Sequence, residues 1–177
     1  MRFDLDPPHC VGALRIGTSR EEARKELEKL GQCRPFARYN SPPGWLVDRG
    51  RSGNGTTAIF AYCDASGQVN AIEFGTPGFG TPAEDEIVYR AIDVFRSPVA
   101  EVVAAIRRLG EIVDEEEAAS SFVAPNVLLA LWRDGGPPVD LMGGSSISSL
   151  RLSLAPATRR TQQPLDDTAR AAPAALA

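Results

Sequence analysis

Two stretches of this 177-residue chain open alike and then run through the same kind of helix pattern. The first begins Leu14-Arg15-Ile16-Gly17-Thr18-Ser19 and continues to Leu30-Gly31. The second begins Ile92-Asp93-Val94-Phe95-Arg96-Ser97-Pro98 and continues to Leu109-Gly110. An offset of 79 residues lays Thr18 on Ser97, Glu22 on Glu101, Leu27 on Ile106, Leu30 on Leu109 and Gly31 on Gly110. Strand-like runs follow each helix pattern. One such unit is too small to build a stable core alone, so two must share one. Consecutive hairpins pair antiparallel, which makes the expected class α+β: two tandem helix-plus-antiparallel-hairpin units sharing an antiparallel sheet. The units are expected at 1–80 and 81–154, divided by the Gly/Pro-rich run 75–82, with a disordered tail at 155–177.

Local signals fill in the units. Thr18 with Glu21 three residues on reads as a capping box for the first helix. Ala23, Leu27 and Leu30 then form its apolar stripe, and Glu21–Lys25 and Arg24–Glu28 its i,i+4 ion pairs. Ser97 is expected to cap the second helix, with Pro98 in its first turn. Its stripe of Val99, Val102, Val103, Ile106 and Leu109 is broader, so this helix is the more buried. Gly31 and Gly110 are the stops. Phe3 and Leu5 share a face of a lead-in strand at the N-terminus. Further strands are expected at 34–39 (weakened by Pro35), 45–48, 57–63, 68–74, 87–94, 121–124, 126–132 and 147–154. Residues 49–55 read as a polar, glycine-rich mobile turn. In the run 68–74, Val69, Ala71 and Glu73 are expected to face one way and Asn70, Ile72 and Phe74 the other. Leu150, Leu152 and Leu154 share a face of the last strand.

Charge and composition exclude several function classes. Net charge is -4, which argues against a phosphate-binding surface and hence against a nucleic-acid partner. Lys25 and Lys29 are the only lysines, and the arginine excess reads as a codon bias. No apolar run reaches the roughly 18 residues of a membrane helix. Residues 1–10 contain Asp4, Asp6, Pro7 and Pro8, unlike a signal peptide, so a cytoplasmic location is expected. Cys10, Cys33 and Cys63 are an odd, widely spaced set and read as free thiols. A zinc site would need Cys33 and Cys63 together with His9-Cys10, and no cofactor or metal is expected. His9, the only histidine, follows Pro7-Pro8 near the N-terminus and reads as a solvated residue rather than the general base of a triad. The glycine pairs 135–136 and 143–144 lack the Lys-Ser/Thr ending of a phosphate loop.

The phrases VGALRIGTSREEARKEL, at 11–27, and YCDASGQVNAIEF, at 62–74, resemble units of a large set of bacterial proteins. Those units open on G-x-L-x-x-G-x-S-x-x-E and close on a Y-D-x-x-G-x-V-x-x-I-E-F hairpin. The unit is similar to the helix-and-three-strand module of the outer-membrane assembly lipoprotein SmpA/OmlA and of the secreted β-lactamase inhibitor protein. The resemblance implies a non-enzymatic module whose sheet or helices contact another protein, in a cytoplasmic chain of the immunity-like or inhibitory kind.

The expected function is therefore protein binding, with Trp45, Tyr39, Phe79, Glu115 and Glu116 as candidate contact residues. Trp45 reads either as a lid over the core or as an interface anchor. The acidic run 111–117 lacks the spacing and central glycine of a calcium loop and reads as a solvated loop or helix start, or as an edge that steers a basic partner. Two other readings stand beside this one. An enzyme or small-molecule binder would use Glu73, Asp64 or the 111–117 carboxylates, and would need two of them in one deep pocket. A structural subunit would complete a partner's sheet, or pair with itself as a homodimer.

Overall fold

A computed structural model describes residues 1–36, 44–52, 57–75, 84–111, 113–115, 121–132 and 149–153. The expectations for Tyr39, Phe79, Glu116, Leu154, the Gly/Pro linker, the glycine pairs and the 155–177 tail lie outside these residues.

The class is α+β. In chain order the elements are β1 (Arg2–Asp6), β2 (Cys10–Val11), β3 (Leu14–Arg15), α1 (Arg20–Leu30), β4 (Arg34–Pro35), β5 (Leu46–Arg51), β6 (Ala58–Cys63) and β7 (Val69–Gly75). They continue with β8 (Glu86–Tyr89), β9 (Ile92–Asp93), α2 (Val99–Arg108), β10 (Asp114–Glu115), β11 (Ser121–Ala124), β12 (Leu129–Trp132) and β13 (Ser149–Ser153). A large sheet has the order β10-β11-β12-β13-β7-β6-β5-β4, antiparallel throughout. A small sheet has the order β3-β2-β1-β8-β9, in which β1 and β8 run parallel.

The main core lies between the large sheet on one side and the small sheet with both helices on the other. Phe3, Leu5, Ile87 and Tyr89 come from the small sheet, Ala23 and Leu27 from α1, and Val102, Val103 and Ile106 from α2. They meet Ile59, Cys63, Ile72, Phe74, Leu129 and Leu131 of the large sheet. The rings of Phe3 and Phe74 stand edge to face, 5.2 Å apart, and tie the two sheets together. α2 buries Val99, Val102, Val103 and Ile106 and α1 buries Ala23 and Leu27, as their stripes predict, whereas Leu30 is half-buried and Leu109, past the end of α2, is exposed. Among the described residues no helix is long and apolar enough to cross a membrane.

Both helices start one residue later than their sequence signals predict. Ser19, not Thr18, caps α1, in a reciprocal box with Glu22. Thr18 is occupied: its carbonyl accepts the Val69 amide at 2.8 Å and its hydroxyl donates to the Arg15 carbonyl at 2.9 Å. At α2 the cap position is Pro98, with no side-chain cap, and the Asp93 carboxylate accepts from the Phe95 and Arg96 amides in the turn before it. The Glu21–Lys25 pair forms at 2.8 Å. Arg24 instead approaches Asp48 at 3.9 Å rather than pairing with Glu28.

Three strand expectations are corrected. The run 87–94 is broken by a tight turn at Arg90 and Ala91, both at positive φ (45° and 72°), which returns the chain as β9. The run 126–132 starts with a one-turn 3-10 segment at Pro125–Val127, because Leu128 adopts a left-handed conformation before β12 begins. In β7 a register shift at Tyr62/Cys63 skips Asn70, so Val69 joins Ile72 and Phe74 on the core face.

The largest correction concerns residues 49–51, expected in a mobile turn. They belong to β5, paired with β6 as far as Arg51↔Ala58. Asp48, essentially buried, receives a two-pronged bond from the Arg20 guanidinium at 2.5 and 3.0 Å, which pins α1 across β5. The helix comes so close that a Cβ on Gly50 would lie 2.9 Å from a Leu27 methyl and 3.3 Å from Leu27 Cβ. Gly50 thus marks a close helix approach rather than flexibility. Gly50→Ala is expected to destabilise the fold by about 1–3 kcal/mol, as overpacking does, read as a lower denaturation midpoint with unchanged denaturant slope.

The fully buried Asp85 side chain accepts a bond from the Met1 amine at 2.6 Å, where β1 meets β8. Burial alone raises a carboxyl pKa; here the Met1 ammonium, with the Ser52 and Thr57 hydroxyls beside it, outweighs burial and holds Asp85 below its ordinary value of 3.8. A depressed carboxylate stabilises the fold above its unfolded pKa, and that contribution disappears as pH falls through the folded one. Acid titration of stability below about pH 4 is therefore expected to be shallower in Asp85→Asn, which starts from a lower stability at pH 7. Urea melts across pH 2–7 check this; parallel curves for both proteins contradict it.

Candidate functional site

The strand period divides the large sheet into two faces. One carries the main core. The other begins on β5 and β6, where Val47 pairs with Tyr62 and Arg49 with Phe60, and continues on β7 with Ala71 and Glu73. A single register row crosses the whole sheet through Arg34, Arg49, Phe60, Glu73, Arg151, Ala130, Val123 and Asp114. Among the described residues neither helix packs on this second face.

A small separate apolar cluster has formed there. Val47, Tyr62 and Ala71 are buried, and Phe36, Trp45 and Phe60 pack against them while staying half-buried. The Phe36 and Phe60 rings are 5.3 Å apart and tilted. The Arg49 guanidinium lies 5.5 Å from the Phe36 centroid and 5.6 Å from that of Phe60. Burial lowers the Arg49 pKa, and the charges of Arg51 and Arg34 lower it further. The Tyr62 hydroxyl donates to the Glu73 carboxylate at 2.8 Å in a buried setting.

Trp45 is not a lid over the main core: it packs on the second face, partly open to solvent. Glu115 lies in β10, an outer strand of the sheet, opposite Phe122 in register. Phe36, Arg49, Phe60 and Tyr62 carry the face, and the sequence reading did not single them out. Alternation across 58–63 was the available signal for Phe60 and Tyr62. Arg49 was hidden by the loop reading of 49–55.

The three candidate acidic groups stand apart. Glu73 is bound by Tyr62. Asp64 accepts from the Ser66 hydroxyl at 2.6 Å and the Ser66 amide at 2.9 Å within the β6–β7 turn, which depresses its pKa. Glu111, expected in a solvated run, has its side chain only 7% exposed and receives bonds from the Tyr89 hydroxyl, at 2.8 Å, and from the Asn126 amide. Burial, with Glu111 beside it, pushes the Tyr89 hydroxyl up to about 12. A small cavity beneath α2, lined by Val103, Ile106, Phe122, Leu129 and their neighbours, is about 10 Å³ and wholly apolar. That is about the space of one water molecule.

Cys10, Cys33 and Cys63 are free thiols. Burial, aided by Asp48, pushes Cys63 up to about 11, so it is no thiolate at neutral pH. His9 is exposed. Among the described residues no three His, Cys, Asp or Glu side chains gather as a metal ion requires.

The chain matches no protein-family model, no curated protein and no solved structure. The face itself therefore carries the functional argument. Tyr62→Phe removes the donor to a buried carboxylate and is expected to cost about 1–3 kcal/mol. Equilibrium unfolding at pH 7 checks this; an unchanged midpoint contradicts it.

Proposed function

We propose that this chain is a non-enzymatic protein-binding module, of the immunity-like or inhibitory kind, that holds its partner on the face of the large sheet turned away from the main core. The observation that carries the reading is the gathering of half-buried Phe36, Trp45 and Phe60 around Arg49 on that face. Aromatic and arginine side chains are the residues that most often dominate binding energy at interfaces. The 8% exposed Glu73 and its Tyr62 partner give the face a fixed polar point beside the aromatics.

The tandem-unit reading supports this assignment. α1 and α2 are each followed by four strands of the large sheet, and the last of each four, β7 and β13, pair with one another. The hairpin before each helix also recurs, with Val11 opposite Leu14 in β2–β3 and Tyr89 opposite Ile92 in β8–β9. A repeated hairpin, and last strands that meet in one sheet, are what two copies of one unit would give. Under the resemblance to the SmpA/OmlA and β-lactamase inhibitor modules, such a pair of units is a scaffold for contact with another protein, here in the cytoplasm.

The test is capture of a partner from the source cells by tagged wild-type chain, beside Trp45→Ala and Phe60→Ala chains that retain the wild-type melting temperature. A specific partner whose recovery falls at least about tenfold in each variant is expected, the scale of one interface anchor. A partner recovered equally by all three chains, or none at all, contradicts the proposal.

A further inference from the structure

Three arginines meet at one end of the docking face. Arg34 stands directly opposite Arg49 in the β4–β5 register, and Arg51 follows two residues along the same strand, on the same face. Like charges placed opposite one another on a sheet repel. Arg49 is less exposed than Arg34 and Arg51, because its guanidinium is held against Phe36 and Phe60. Its Nε is buried and has no hydrogen-bond partner. Among the described residues no carboxylate comes within ion-pair distance of it, although the chain as a whole is acidic, with net charge -4. A buried charged donor without an acceptor is unfavourable, and the repulsion from Arg34 and Arg51 adds to it. Such local conflict concentrates at sites whose partner is supplied from outside.

We infer that Arg49 is the recognition point of this face, receiving a carboxylate carried on an acidic segment of the partner protein. This rests on the docking-face reading and names the chemistry that the face would select. A carboxylate matches the planar guanidinium fork, and one placed against it also eases the repulsion between Arg49 and Arg34. The walls of Phe36 and Phe60 keep water from the pair and strengthen it. Half-buried Trp45 and Phe60 supply apolar contact for residues flanking the acid. A nucleic acid fits the site less well. Its phosphates extend far beyond one group of three arginines, and the negative balance of the chain repels them.

The experiment is an NMR titration of the full chain with the blocked peptide acetyl-Gly-Glu-Phe-Glu-Gly-amide. Its glutamine counterpart and a single-stranded 12-nucleotide DNA are titrated in parallel. The glutamate peptide is expected to shift the Arg49 Nε–H and Trp45 indole signals, and to bind at least tenfold more tightly than the glutamine peptide or the DNA. In Arg49→Gln the glutamate peptide loses at least tenfold in affinity, while the melting temperature stays level or rises because the charge conflict is gone. Arg34→Glu, which supplies a carboxylate opposite Arg49 within the chain, likewise weakens the peptide and keeps the fold. Absence of binding, tighter binding of the DNA, or unchanged affinity in Arg49→Gln overturns the inference. Equal binding of the two peptides at Trp45 also overturns it and leaves the docking face standing. Partner capture that ignores Trp45 and Phe60 removes the face itself.

Discussion

The pairing of β7 with β13 is the contact on which the rest of the architecture depends. It runs in register from Gly75 opposite Ser149 to Ala71 opposite Ser153 and converts two four-stranded ribbons into one eight-stranded sheet. Without it, the ribbon after α1 and the ribbon after α2 would each expose an extra edge and half a core. With it, Phe74 and Ile72 sit at the middle of the sheet, where they meet Phe3 and the small sheet. The β1–β8 pair, parallel where β7–β13 is antiparallel, joins the small sheet, so each layer is joined near its centre by one strand from each half of the chain. Such long-range pairing commits the halves to fold together, since each lacks its central neighbour without the other.

Much of this framework was legible in the residues. The helix stripes, the stops at Gly31 and Gly110, the β6–β7 hairpin and the inward Phe3 and Leu5 follow from periodicity and turn chemistry. What the sequence hid is what depends on distant partners. Thr18 has every local attribute of a helix cap, yet a strand far along the chain occupies its carbonyl. Gly50 and Arg49 look like loop residues because glycine and charge are loop signals. In the folded chain the glycine admits Leu27 and the arginine lies against aromatic rings. The turn at Arg90-Ala91 carries neither glycine nor asparagine, so nothing local announced it.

The candidate site shows the same division. Trp45 could be singled out as an aromatic beside a proline-rich loop. Its company could not, because Phe36, Phe60 and Tyr62 come from three separate segments that only the sheet register aligns. The acidic groups were visible as charges, but their roles were set by neighbours. Glu111 became a buried acceptor for Tyr89, and Asp64 the organiser of a turn. Charge counting therefore overstated the solvated acidic surface and missed the arginines gathered at the β4–β5 end.

Pro35 lies in β4, the last strand of the large sheet on that side. The Phe36 amide bonds back to the Val47 carbonyl, so the alternating backbone turns Pro35 away from β5, toward the open side. A proline there offers no amide to an incoming strand. Another chain approaching this border finds the ladder interrupted at its first rung and cannot extend the sheet by backbone pairing alone. Contact at this end of the molecule is thereby left to side chains, whose shape and charge discriminate between sequences in a way that a repeating backbone does not.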